Sequence, residues 1–142
     1  MGVATLPAAS AGKTRYVETL TSGTSWTVPA GCLYVNATLF GGGAGSGSSA
    51  GQLGANGQRI TTKVTTTPAA SITYAIGAGG ASNAAGGATT FTGATTAVGG
   101  IAYNASGAGT TGGAGDGSQG GFATPTANGS GASGKIELEY WV

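Results

Sequence analysis

Leu33-Tyr34-Val35-Asn36-Ala37-Thr38-Leu39-Phe40 runs without a break into Gly41-Gly42-Gly43. The eight residues before the glycines alternate. Leu33, Val35, Ala37 and Leu39 fall on one side of a period of two, and Tyr34, Asn36, Thr38 and Phe40 on the other. Successive side chains of an extended chain point to opposite faces, so this pattern reads as a β-strand. The aliphatic set is expected to face the core. Tyr34 and Phe40 on the opposite face imply that this side is partly covered as well. The three glycines then end the alternation and open a low-complexity stretch that runs to Gly57.

The same unit, a strand followed by glycine, recurs outward from this stretch. Ile60, Thr62 and Val64 alternate with Arg59, Thr61 and Lys63. Pro68-Ala69-Ala70 turns the chain, and Ile72, Tyr74 and Ile76 form one face of a further strand. A second glycine-rich stretch runs from Gly77 to Gly87 and a third covers 107–121, with short strands expected at 88–91 and 97–103. At the end, Ile136, Leu138, Tyr140 and Val142 alternate with Glu137, Glu139 and Trp141. Upstream, 14–28 reads as two short strands around the turn Thr21-Ser22-Gly23-Thr24. No segment keeps a helical period over three turns, and Gly and β-branched Thr work against helices throughout. The chain is therefore expected to be all-β. It should form a small sandwich or barrel-like domain of short antiparallel strands with long ordered Gly-rich loops, covering 14–142. Residues 1–13, with Pro7 and Gly12, read as an extended N-terminal arm.

The glycine admits several readings. Flexible linkers would lack the strand-like flanks that each stretch has here. Phosphate cradling would need a Gly-Lys-Ser/Thr or a following helix after Gly77-Ala78-Gly79-Gly80, and neither is present. Two readings stay open. Gly51, Gly54 and Gly57, and Gly109, Gly112 and Gly115, recur every third residue. That spacing suits polyglycine-type extended helices with three residues per turn, packed backbone to backbone. Irregular but ordered loops are the other reading.

Composition bounds function. The chain has 142 residues, 31 of them Gly, with 6% charged residues and a net charge of +1. Leu, Ile, Val and Phe make up about 15%, below the roughly 20% at which disorder competes with folding. Low net charge gives little self-repulsion to hold such a chain open. So sparse a core implies that neighbouring copies or other proteins supply part of the stability. The basic residues Lys13, Arg15, Arg59, Lys63 and Lys135 are spread along the chain, which argues against a nucleic-acid partner. No apolar run is long enough to span a membrane, and Met1-Gly2-Val3-Ala4 does not open a signal peptide. Cys32 is the one cysteine and reads as a buried thiol at the mouth of the apolar strand.

Chemistry is sparse too. The chain has no His, the usual general base and commonest metal ligand. One Cys excludes thiolate zinc clusters. Glu137 and Glu139 share a strand face that reads as solvated, and Asp116 sits in a Gly-rich turn. No base is available to activate the many Ser and Thr hydroxyls. The expectation is a protein without enzymatic activity, cofactor or metal. The aromatic residues carry what functional signal remains. Tyr103 and Phe122 border the Gly-rich region and, with Trp26 and Trp141, are the candidate ligand or subunit contacts.

The order of Thr21–Gly31, the strand Leu33–Phe40 and Gly41-Gly42-Gly43 resembles the Gly-rich domain of phage tail and other virion proteins. Ile76-Gly77-Ala78-Gly79-Gly80, Gly86-Gly87-Ala88-Thr89-Thr90-Phe91 and the closing strand after Gly134 are similar as well. The resemblance implies a virion structural protein, made in the host cytoplasm. It would be associated with the tail as fibre, tip or baseplate and contribute to attachment to a host glycan or protein. It also implies a homo-oligomer, with three-fold symmetry expected from the likeness to fibres, in contact with other virion proteins. A capsid decoration protein that cements the head, with 1–13 as a clamp, is the first alternative. A stand-alone carbohydrate-binding module is the second.

Overall fold

The computed structural model describes residues 12–48, 52–102 and 129–142. Seven strands lie within them: β1 (Arg15–Leu20), β2 (Ser25–Thr27), β3 (Tyr34–Phe40), β4 (Arg59–Thr65), β5 (Ser71–Ala75), β6 (Thr90–Phe91) and β7 (Lys135–Trp141). The described residues contain no helix. The strands form two antiparallel sheets, one in the order β1-β7-β3-β4 and one in the order β2-β5-β6. Neither sheet closes into a barrel, and the arrangement is a small sandwich.

The inward sets of the alternating strands meet between the sheets. Val35, Ala37 and Leu39 of β3 and Ile136, Leu138 and Tyr140 of β7 are buried. They pack against Trp26, Val28, Tyr74 and Phe91 from the other sheet and its flanks. The C-terminal strand is central: β7 pairs with β1 on one side and β3 on the other, with Leu138 opposite both Glu18 and Ala37. Strands β1 and β2, adjacent in sequence, do not pair with each other and belong to different sheets. Two local expectations shift. Leu33 is 56% exposed, because the chain enters β3 one residue later and the buried Cys32 takes the inward place before it. Over its described part, 97–102, the expected strand at 97–103 reduces to a single bridge between Ala97 and Thr89.

The described glycine-rich stretches form a second layer built almost entirely of backbone. Residues 41–47 are all buried and lie at its centre. Their amide donors rotate with a period of three. Gly41, Ala44 and Gly47 donate to the carbonyls of Gln58, Ala55 and Gln52. Gly42 and Gly45 donate to Gly87 and Ala84, and Gly43 and Ser46 to Ala132 and Gly129. A donor direction that repeats every third residue is the signature of a three-residue-per-turn extended helix. Carbonyls of the same segment accept in return: Gly80 and Asn83 donate to Gly43 and Ser46, and Gly100 donates to Gly42. Five extended segments thus surround the central one, in the order 52–58, 97–102, 84–88, 77–83 and 129–134. Neighbours in that ring also bond to each other, as from Gln58 to Val98, Gly86 to Gly100, Gly87 to Ala78 and Gly131 to Gly80. The polyglycine-type reading therefore holds for the described parts of the first two glycine-rich stretches. The third, 107–121, lies outside the described residues, as does nearly all of the expected N-terminal arm.

This layer satisfies its backbone without large side chains. Every amide from Gly41 to Gly47 has a carbonyl partner, as burial demands. The close approach requires glycine at the contacts: a Cβ added at Gly45 would fall under 3.0 Å from the Ala81 carbonyl, and one at Gly57 under 3.0 Å from the Gly41 carbonyl. One side chain ties this layer to the sheets. The fully buried Thr89 hydroxyl donates to the Phe40 carbonyl at 2.7 Å and accepts from the Gly77 amide at 2.9 Å.

Candidate functional site

The four-stranded sheet has one face in the core and one turned outward. On the outward face the register sets side chains in rows across the strands. Phe40 of β3 stands between Lys135 of β7 and Arg59 of β4. Thr38 stands between Glu137 and Thr61, and Asn36 between Glu139 and Lys63. At the far end Tyr34 contacts Trp141, with ring centroids 5.8 Å apart and planes at 36°. Arg15 and Val17 extend these rows on β1, opposite Trp141 and Glu139.

Six of the chain's nine charged residues therefore lie on one sheet face: Arg15, Arg59, Lys63, Lys135, Glu137 and Glu139. The cations, far apart in sequence, are gathered by the strand order, so their scatter along the chain does not carry over to the fold. Three of them sit over aromatic rings. The Lys135 ammonium is 4.6 Å from the centre of the Phe40 ring and the Arg59 guanidinium carbon 5.7 Å from it. The Lys63 ammonium is 4.1 Å from the centre of the Tyr34 ring. Each placement draws the cation to the negative ring face and fixes a flexible side chain in one region, an effect of about 0.5–1 kcal/mol at exposed sites. Phe40 is 9% exposed under this cover, which accounts for the aromatic residue on the nominally polar side of β3.

Two ion pairs lie on the same face. Lys135 Nζ donates to Glu137 at 2.7 Å, and the Arg15 guanidinium donates to Glu139. The hydrogen bond from Arg15, with a further one from Asn36, holds the Glu139 carboxyl below the usual carboxylate range against the opposing effect of desolvation. Among the described residues, Arg59 and Lys63 have no carboxylate within ion-pair distance. Between the pairs is a shallow depression of ≈ 210 Å³ whose polar lining includes Asn36, Thr38 and Thr61. It offers hydroxyl and amide groups at its floor and charge at its rim.

The residues singled out from sequence divide. Trp141 lies on this face, half-buried beside Tyr34. Trp26 is 6% exposed and sits in the core, its ring 5.6 Å from Tyr140 and 6.2 Å from Phe91, with its Nε1 donating to Glu18 at 2.9 Å. Tyr103 and Phe122 lie outside the described residues. Sequence reasoning passed over Lys63, Arg59 and Lys135 as partners of Tyr34 and Phe40. The alternation of β3 placed both rings on the second face, but only the strand order could show which cations flank them. Among the described residues, no group of three or more His, Cys, Asp or Glu could hold a metal ion.

The architecture and the sequence agree with a known family. Residues 19–137 match the family described as a glycine-rich domain. The chain belongs to this glycine-rich domain family. No curated protein matches the sequence. The glycine-rich domain match spans the strands β2 to β6 and all six extended segments described above. Most of β1 and β7, which supply Arg15, Glu139 and Trp141, extends past its ends.

Proposed function

We propose that the chain is a structural component of a phage virion, associated with the tail as part of a fibre, tip or baseplate. In this reading it contributes to host attachment through the outward face of the four-stranded sheet and acts by binding, without catalysis. The resemblance to virion Gly-rich domains supplies the setting. The observation that carries the attachment role is the concentration of charge and aromatic rings on one sheet face of a chain dominated by Gly, Ala, Ser and Thr. A large polar surface elsewhere would make such a cluster unremarkable; with nine charged residues in 142, placing six together defines a surface unlike the rest. The small core favours self-association in the particle, where neighbouring copies bury what one chain leaves open.

Immunogold labelling of purified particles tests this reading. Label at the tail is the expected result. Label on heads and not on tails would replace it with a capsid decoration protein, and absence from particles would leave a stand-alone binding module.

A further inference from the structure

We propose that the outward face of the four-stranded sheet binds an extended anionic polysaccharide, with Arg59, Lys63 and Lys135 taking its acidic groups. The proposal rests on the reading of this face as the attachment surface and gives that surface a ligand class.

Charge sets the sign of the ligand. Four cations face two carboxylates across these rows, and two of the cations, Arg59 and Lys63, have no carboxylate partner among the described residues. Both stand on β4, an edge strand, where long side chains reach solvent freely. They are four residues apart on one strand, roughly 13 Å at the usual rise. Lys135 lies two strands from Arg59 in the same row, roughly 10 Å away at the usual strand spacing. Each is steadied over a ring, so less side-chain freedom is lost when an anion binds.

Spacing and surroundings set the polymer. Double-stranded DNA carries a negative charge about every 1.7 Å along its axis. Such a density would meet Glu137 and Glu139 in the middle of this face and be repelled by them. A polysaccharide with at most one acidic group per sugar can place carboxylates or phosphates at the cations and neutral hydroxyls between. Carboxylates accept hydrogen bonds from those hydroxyls. So do Thr38 and Thr61, whose hydroxyls already bond each other at 2.8 Å across β3 and β4. Tyr34 and Trp141 offer ring surface at the end of the row for the apolar side of a sugar.

Affinity electrophoresis of the whole chain tests this. The native gels would contain polygalacturonate, neutral dextran or no polymer, with binding to single-stranded oligo-dT measured alongside. Polygalacturonate should retard the protein, retardation should fade as salt rises, and dextran should have no effect. The variant R59Q/K63Q should bind polygalacturonate about tenfold more weakly, the loss expected from removing charge-assisted contacts. The variant S25E/S71E lowers the net charge by the same two on exposed positions of the other sheet, and should stay within about twofold of wild type, since charges beyond a Debye length are screened. Equal weakening of both variants, equal retardation by dextran, no retardation at all, or tighter binding of oligo-dT than of polygalacturonate would each overturn the proposal. Tail labelling in a protein that ignores polygalacturonate would remove the ligand and leave the tail reading standing. Head labelling in one that binds it through Arg59 and Lys63 would do the reverse.

Discussion

Glu18 links the two sheets through its carboxylate. It sits on the inward side of β1, half-buried, and its carboxylate accepts from Trp26 Nε1 at 2.9 Å and from the Tyr140 hydroxyl. Trp26 belongs to one sheet and Tyr140 to the other, so one carboxylate satisfies polar tips from both sides of the core. Tyr16 stacks on Tyr140 with centroids 5.6 Å apart and covers the site from β1. Replacing Glu18 by Ala strands both donors in a largely apolar setting. Each unsatisfied buried donor costs about 1–3 kcal/mol, so Glu18→Ala should lower stability in urea denaturation by about 2–4 kcal/mol. Glu18→Gln keeps an acceptor oxygen and should lose less. The same group gives the fold a pH limit. Burial first, and the Glu18 carboxylate second, push the Tyr140 hydroxyl up from 10.0 to about 12. In the unfolded chain Tyr140 gives up its proton near 10, whereas in the folded chain it holds it to about 12. Its contribution to stability is therefore complete below pH 10 and is lost as pH rises from 10 to about 12. Thermal melts across that range should show a decline that is shallower in Tyr140→Phe.

At the scale of elements, the extended segments replace side-chain packing with backbone contact. Glycine there is selected by space. A methyl group at Gly45 would press on the Ala81 carbonyl, which is backbone and cannot swing aside. Overpacking of this kind costs about 1–3 kcal/mol or more, so Gly45→Ala should lose about 3 kcal/mol in thermal or urea melts. Gly12 is the control: a Cβ there meets nothing within 4 Å, and Gly12→Ala should stay within about 0.5 kcal/mol of wild type. An equal change at both sites would mean that close approach does not select glycine at Gly45, since the chain-entropy effect of Gly→Ala is stabilising at either site. This contrast also marks what could be read without a structure. The strands were legible, because a period of two survives in Val35-Asn36-Ala37-Thr38-Leu39 and in Ile136 to Tyr140 whatever surrounds them. Gly54 and Gly57 hinted at the three-residue helix, but Gly41-Gly42-Gly43 masks its own period: every residue is glycine, while only the direction of each amide turns by thirds. Which segments neighbour which depends on bonds between distant parts of the chain, as from Gly43 to Ala132. No local pattern encodes those. The candidate face was half legible for the same reason. Tyr34 and Phe40 showed their side of β3, but Lys135 reaches Phe40 only because β7 inserts between β1 and β3.

The whole molecule is two layers drawn from the same strokes of chain. Strand β3 ends at Phe40 and the central extended segment begins at Gly41; residues 52–58 run directly into β4, and 129–134 into β7. On the other sheet, β5 leads through Ile76 into 77–83, and 84–88 leads through Thr89 to β6. Each extended segment is thus the continuation of a strand, except that 97–102 is joined through the bridge from Ala97 to Thr89. A strand cannot leave its sheet without pulling its extension from the other layer, and the extension cannot leave without breaking backbone bonds to two or more neighbours. The two layers should therefore unfold together, although one is held by a core of aliphatic and aromatic side chains and the other almost wholly by backbone pairing. Native-state hydrogen exchange would decide this. If the layers form one cooperative unit, the amides of Gly42 to Ser46 should exchange as slowly as those of Val35 to Leu39, with both sets governed by global unfolding. Addition of denaturant should bring the two sets to a common rate with the same slope. Much faster exchange at Gly42 to Ser46, with β3 still protected, would show that the glycine layer opens on its own. The sheets would then be the stable frame, and collinearity of strand and extension would not couple them.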